Sequence, residues 1–207
     1  MRMTRLSQSD FEQLAANAKI LEADGFGPKV LHLENGLFLK LFRRKRWLSS
    51  ALWRPYSQRF ADNAARLQRL GIPTLAVQAL YVLDDRRTTA VLYRPLPGES
   101  LSQLARQADF RWDDSFALLA EFIRELHQKG VYFRSLHLGN IIRTPEGALG
   151  LIDLSDMRFL RKALPARLVR RNLGHFDRYL KREGLDRDFP GARLHQALIG
   201  AAASSSR

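Results

Sequence analysis

Apolar residues in the first part of the chain fall in short runs broken by turn-forming residues. Further along they recur at helical spacing. Phe11, Leu14 and Ala15, with a cap at Ser9 or Asp10, predict a helix within residues 1–19. The runs Lys19-Ile20-Leu21-Glu22, Val30-Leu31-His32-Leu33 and Leu37-Phe38-Leu39-Lys40-Leu41-Phe42 follow, separated by Asp24-Gly25-Phe26-Gly27-Pro28 and by Glu34-Asn35-Gly36. Asn-Gly between two apolar runs predicts a hairpin, because both residues tolerate positive φ. An antiparallel meander is therefore expected. A helix over roughly Gln58–Leu70 carries Phe60, Ala64 and Leu67 on one face, and Gly71 and Pro73 end it. Two more strands, about Leu75–Leu83 and Thr89–Tyr93, flank Asp84-Asp85-Arg86-Arg87.

Beyond Pro95-Leu96-Pro97-Gly98 the pattern turns mainly helical. Asp113–Lys129 has a clean apolar face of Phe116, Leu119, Ala120, Ile123 and Leu126. Ile141-Ile142 and Leu149-Gly150-Leu151-Ile152 predict a short hairpin around Pro145-Glu146-Gly147. Arg158 to Arg182 alternates arginine and lysine with Leu168, Leu173, Phe176 and Leu180, and reads as an amphipathic helix. A five-stranded sheet with one helix, followed by a helical half, is not a Rossmann order. No internal repeat is present.

Composition narrows the class. At 207 residues and 45% hydrophobic, the chain has enough apolar material for one domain or two small lobes. It contains no cysteine, so neither disulfides nor cysteine-held metals enter the argument. The stretch MRMTRLSQSDFEQLA lacks the apolar core of a secretory signal, and no run approaches the length of a membrane span. A soluble, cytoplasmic protein is the expectation. The net charge of +13 favours anionic partners but does not choose among nucleic acid, acidic membrane and phosphorylated substrate.

Three features carry chemistry, and they occur in one order. Lys40 is flanked by apolar residues on an expected buried strand, where an ammonium needs a partner such as a phosphate oxygen. Asn140 lies in Tyr132-Phe133-Arg134-Ser135-Leu136-His137-Leu138-Gly139-Asn140, after the long helix. Asp153 ends the apolar run Leu151-Ile152. An Asn and a following Asp supply hard oxygen ligands suited to Mg²⁺ that bridges nucleotide phosphates.

The order strand-Lys, helix, hinge, helix, loop-Asn, strand-Asp resembles the protein-kinase fold. Arg94-Pro95-Leu96-Pro97-Gly98-Glu99-Ser100-Leu101 resembles the hinge of aminoglycoside and sugar kinases, and Leu136-His137-Leu138-Gly139-Asn140-Ile141-Ile142 resembles their catalytic loop. The Lys40-Leu41-Phe42-Arg43-Arg44-Lys45-Arg46 segment and the helix end Leu70-Gly71-Ile72-Pro73-Thr74 extend the likeness. The chain is similar, over about residues 20–160, to the lipopolysaccharide kinase family, the group that includes toluene-tolerance and InaA-like proteins.

That resemblance implies an α+β, protein-kinase-like two-lobe fold. Residues 1–94 form a small antiparallel five-stranded lobe with one helix in the sheet region, and residues 95–207 a reduced, mainly helical lobe. It implies ATP and Mg²⁺ as cofactors. Lys40 would hold the α- and β-phosphates, Asn140 and Asp153 the Mg²⁺, and the backbone around Arg94 to Leu96 the adenine. Gly25 and Gly27 would cover the phosphates, although a proline follows them. Asp62 is the acid available to pair with Lys40. The implied activity is transfer of the ATP γ-phosphate to a core-sugar hydroxyl in lipopolysaccharide assembly, with an acidic glycolipid or core sugar as partner.

The chain departs from the family at the loop acid. Counting back from Asn140, the position of the usual catalytic Asp is Ser135. A serine hydroxyl is no carboxylate base near neutral pH. His137 or Asp156 stands near enough in sequence to substitute. The alternative is a pseudokinase, a nucleotide-binding or scaffolding regulator of the cell envelope. A peptide kinase is disfavoured by the short stretch after Asp156.

The segment Arg43, Arg44, Lys45, Arg46, Trp47 to Trp53 sets cations beside two tryptophans, a composition that suits peripheral contact with the anionic inner membrane or a packed, solvated lobe surface. No nucleic-acid recognition module is visible, so nucleic acid is not an expected partner.

Overall fold

The computed structural model describes residues 1–43 and 55–204. They divide into two units, Met1–Leu96 and Pro97–Arg207. In the first, Met3–Leu6 (β1) is followed by the helix Gln8–Ala15 (α1), the strands Lys19–Asp24 (β2), Gly27–His32 (β3) and Phe38–Arg43 (β4), the helix Tyr56–Arg69 (α2), and the strands Ala76–Leu83 (β5) and Thr88–Arg94 (β6). The sheet order is β1-β5-β6-β4-β3-β2.

The sheet has six strands, not the five read from the sequence. The extra strand is β1, within a region expected to be helical. It pairs parallel to β5, with Met3 opposite Leu80 and Leu6 opposite Leu83. Only Leu6 of its four residues is buried, so it carries no local strand pattern. Distant partners hold it. Arg5 Nε donates to Asp84 Oδ1 at 2.7 Å, and the backbone N–H of Gln8, in the first turn of α1, donates to Asp84 Oδ2 at 3.0 Å. The Arg5 guanidinium beside Asp84 holds its carboxyl below the usual carboxylate range.

The β3–β4 connection is the hairpin expected from Asn35-Gly36. Gly36 adopts φ +76, the Leu37 N–H donates to Asn35 Oδ1, and Leu33 N–H donates to Leu37 O. Strand pleating then gives β4 two different faces. Leu39 and Leu41 join Leu31, Leu33 and Ala90 in a cluster against which Phe11 and Leu14 of α1 pack. Lys40 and Phe42 point the other way, toward Phe60 of α2. Helix α2 starts two positions earlier than the sequence indicates and ends one position sooner. It buries Phe60, Ala61, Ala64 and Leu67, the stripe expected from its spacing.

In the second unit the elements are Glu99–Ser100 (β7), Leu101–Leu104 (α3), Trp112–Gln128 (α4), Val131–Phe133 (β8), Ile141–Arg143 (β9), Leu149–Leu151 (β10), Met157–Phe159 (β11), Ala166–Glu183 (α5) and Gly191–Ser204 (α6). β9 and β10 form the expected hairpin, and β7 adds to β9. β8 pairs antiparallel with β11. The basic segment after Arg158 is not one helix. Arg158 lies in β11, and Pro165, in extended conformation, starts α5. The core joins Leu119, Ile123 and Leu126 of α4 to Phe133, Leu138, Ile141, Leu151, Leu173 and Phe176. Together the two units are a mixed α+β protein built on a multistranded sheet.

Gly98, the residue before β7, lies against the backbone of Arg143 at the end of β9. It sits at φ +120, and a Cβ there would stand 2.0 Å from the Arg143 carbonyl oxygen. Neither the backbone angle nor the opposing strand can yield cheaply. Gly98→Ala is expected to cost about 3 kcal/mol of stability, read as a lowered midpoint in chemical denaturation.

Candidate active site

Lys40 lies in the first unit. The residue is 7% exposed, and its Nζ lies 5.5 and 5.9 Å from the ring centres of Phe60 and Phe42. A charged amine on the α2 face of the sheet, against two aromatic rings, is held by its neighbours and keeps little contact with water. Asp62, on α2, accepts a hydrogen bond from Gln58 Nε2 at 2.9 Å. Gly25 and Gly27 form the tight turn between β2 and β3, with Phe26 exposed at its tip. Arg43 fastens that turn: it donates to Pro28 O at 2.6 Å and to Asp24 Oδ1 at 3.3 Å. Arg43 thus has an internal task. Arg44, Lys45, Arg46, Trp47 and Trp53 lie outside the described residues. Arg94 ends β6, and Leu96 is the last residue of the first unit.

The second unit brings Ser135, His137, Asn140 and Asp156 together. β8 leads into the loop and β11 leaves from beside it. Their antiparallel register sets Phe133 opposite Met157, so the residues just after Phe133 meet those just before Met157. Ser135 Oγ consequently donates to Asp156 Oδ2 at 2.9 Å. The other carboxylate oxygen, Oδ1, is buried and accepts no hydrogen bond. A carboxylate is present at the loop position where the sequence has only a serine, contributed from the far side of the β9–β10 hairpin.

Asn140 is pinned by its amide nitrogen, which donates to the Ser135 carbonyl at 3.0 Å and to His137 Nε2 at 3.2 Å. Its side-chain oxygen therefore faces away from those contacts, as a cation ligand must. The Ile152 N–H donates to the Asn140 carbonyl, which ties the end of β10 to the loop. Asp153 comes next, exposed, in left-handed conformation at φ 54, ψ 55. Such backbone is costly for a residue with a Cβ, and it often marks a side chain whose direction matters. Among the described residues, no three His, Cys, Asp or Glu side chains are grouped to hold a metal. A cation here would rest on Asn140, Asp153 and oxygens of its own ligand, a set that fits Mg²⁺ on phosphates.

His137 stacks flat on Tyr179 of α5, ring centres 3.9 Å apart and 3° from parallel. Because Nε2 accepts from Asn140, Nδ1 carries the proton in the neutral ring. Burial and then the Arg182 charge push His137 down to about 4, against Asp153 and Glu183. It is neutral at pH 7 and positions Asn140. It is not poised to trade protons near pH 7. Gly139 is small for a reason: a Cβ would stand 2.5 Å from the Tyr179 hydroxyl.

Two buried polar residues hold the loop from behind, and neither had a signal in the sequence. Asn172 of α5 donates to the Phe133 carbonyl at 2.7 Å and is itself bonded to His127 Nε2 at 3.0 Å. A lone Asn inside an amphipathic helix reads as surface. Only packing shows that it faces the core, at 1% exposure.

The His137 shift has a consequence for pH. Folding disfavours its protonated form, so stability is full above its ordinary value of 6.5 and is lost as pH falls from there toward 4. His127 and His175, also lowered, act in the same direction. His137→Phe keeps a ring on Tyr179 and removes that proton site. The fall in Tm between pH 6.5 and 4 is expected to be shallower in this variant than in the wild type.

No protein-family model and no curated protein matches this chain. No helix among the described residues is long and apolar enough to cross a membrane.

Proposed function

We propose that this chain is a magnesium- and ATP-dependent phosphotransferase of the lipopolysaccharide-kinase type, with a kinase-like two-lobe fold and an acceptor that presents a sugar hydroxyl. The observation that carries this reading is the Ser135–Asp156 hydrogen bond, because it returns a carboxylate to a loop that otherwise has the required parts. Magnesium ATP, when bound, supplies the phosphoryl group and the charge neutralisation that its transfer requires. Asn140 and Asp153 would hold the metal through their side-chain oxygens. Lys40 would supply the cation for the phosphates, and the backbone near Arg94 to Leu96 would meet the adenine.

Asp156 takes the acceptor hydroxyl's proton on Oδ1, the oxygen that has no hydrogen bond, while Ser135 holds Oδ2 and fixes the carboxylate plane. His137, neutral, holds Asn140. Phosphoryl transfer depends mostly on positioning and charge, so a base offset from its usual place is a modest handicap.

A second reading, a pseudokinase that binds nucleotide and transfers nothing, is favoured by one observation: the residue at the loop position is Ser135 and not an acid. The purified protein, assayed for magnesium-dependent ATP binding and hydrolysis, separates the two. Turnover that requires magnesium supports the phosphotransferase. Binding without turnover, unchanged by Asp156→Asn, supports the pseudokinase. Failure to bind ATP overturns both.

A further inference from the structure

Near the Ser135–Asp156 loop is a group of donors that lacks an acidic partner. On α5, Arg171, His175 and Arg178 succeed one another about one helical turn apart, so they share a face. Arg134, the residue before Ser135, comes from the loop that α5 holds through the Asn172–Phe133 hydrogen bond. Burial comes first in holding His175 below its usual range, followed by the charges of Arg178, Arg134 and Arg171, with Asp156 the opposing acid. Arg178 Nη2 lies 2.6 Å from His175 Nδ1. A guanidinium only donates, so Nδ1 accepts and Nε2 carries the proton. That Nε2–H is buried and has no acceptor.

Like charges gather here at an electrostatic cost. Among the described residues, neither Arg134 nor Arg171 forms an ion pair. The acids nearby are engaged elsewhere: Asp177 pairs with His195, Glu183 with Arg106 and Arg182, and Asp156 accepts from Ser135. Three guanidinium groups and one imidazole N–H, all donors, match the oxygens of a phosphate monoester.

We infer that Arg134, Arg171, Arg178 and His175 form an anion-binding site for a phosphate monoester carried by the acceptor, next to the carboxylate of Asp156. The site itself stands on the second unit alone. Its assignment to the acceptor rests on the phosphotransferase reading. The acceptor would then be an already phosphorylated sugar or glycolipid, bound by its phosphate while a free hydroxyl meets Asp156.

The test uses the full chain with ¹⁵N-labelled histidine and methyl phosphate as the probe. Saturable binding is expected to move the His175 ring signals and raise its pKa, because an anion offsets the arginine charges. Arg134→Gln and Arg171→Gln, both at exposed positions, should each weaken binding about 10-fold. Arg187→Gln, a remote change of equal charge, should not. A second arm measures co-sedimentation with phosphatidylcholine vesicles, with and without phosphatidic acid. Methyl phosphate binding that depends on these arginines supports the site for a soluble monoester. Binding only to phosphatidic acid vesicles, lost in the same variants, supports it for a lipid-borne one. His175 signals unmoved by methyl phosphate, together with sedimentation indifferent to the substitutions, would overturn it, as would equal losses in Arg187→Gln. Phosphate binding that persists in a protein without ATP turnover leaves the anion site standing and removes the phosphotransferase reading.

Discussion

Asp156→Asn is expected to lower magnesium-dependent phosphoryl transfer about 10²–10⁴-fold, the usual worth of a general base. The amide keeps the shape of the carboxylate, and its oxygen still accepts from Ser135, so the loop should stay folded and ATP should bind as before. Only the capacity to take a proton is lost, and the loss should fall on kcat. Ser135→Ala removes the hydrogen bond at 2.9 Å and leaves the carboxylate, and should have the smaller effect. Ser135→Asp alone is not a gain. It sets two carboxylates at hydrogen-bonding distance, where one is held protonated. The exchange Ser135→Asp with Asp156→Ser moves the acid to the loop position and should recover most of the activity. Turnover unaffected by Asp156→Asn would remove Asp156 from the chemistry and leave the loop without a base.

Lys40→Met should abolish ATP turnover, by about 10²–10³-fold or more, as loss of a preorganised charge at a phosphate does. The fold should survive, because methionine fills nearly the same volume beside Phe42 and Phe60 and no ammonium then needs desolvation. Circular dichroism and a Tm close to that of the wild type, combined with lost nucleotide binding, are the expected pair of results. A variant that still turns over ATP would show that Lys40 is an element of packing, and the phosphates would need another cation.

These two substitutions also mark how far the sequence is informative. Lys40 was legible because a lysine among Phe38, Leu39, Leu41 and Phe42 is conspicuous in a strand pattern. The sequence leaves Asp156 and His137 as equal candidates, since the distance of Asp156 from Ser135 depends on the pairing of β8 with β11. Asn172 gave no sign at all, because an amphipathic helix does not announce which polar residue is turned inward. β1 was missed for a related reason: its partner β5 lies far along the chain, and three of its four side chains are not buried.

The sequence by itself determined the local elements: the Asn35-Gly36 hairpin, the buried stripes of α2 and α4, the β9–β10 hairpin, and the succession of Lys40, Asn140 and Asp153. Those follow from periodicity, turn chemistry and capping, which act between neighbours. The tertiary structure alone decided that the sheet has six strands, that Asp156 stands on Ser135, and that Asn172 of α5 holds the loop carrying Arg134. Each of these joins residues remote in the chain, and their encounter is set by strand register and helix packing, which no short window of sequence contains.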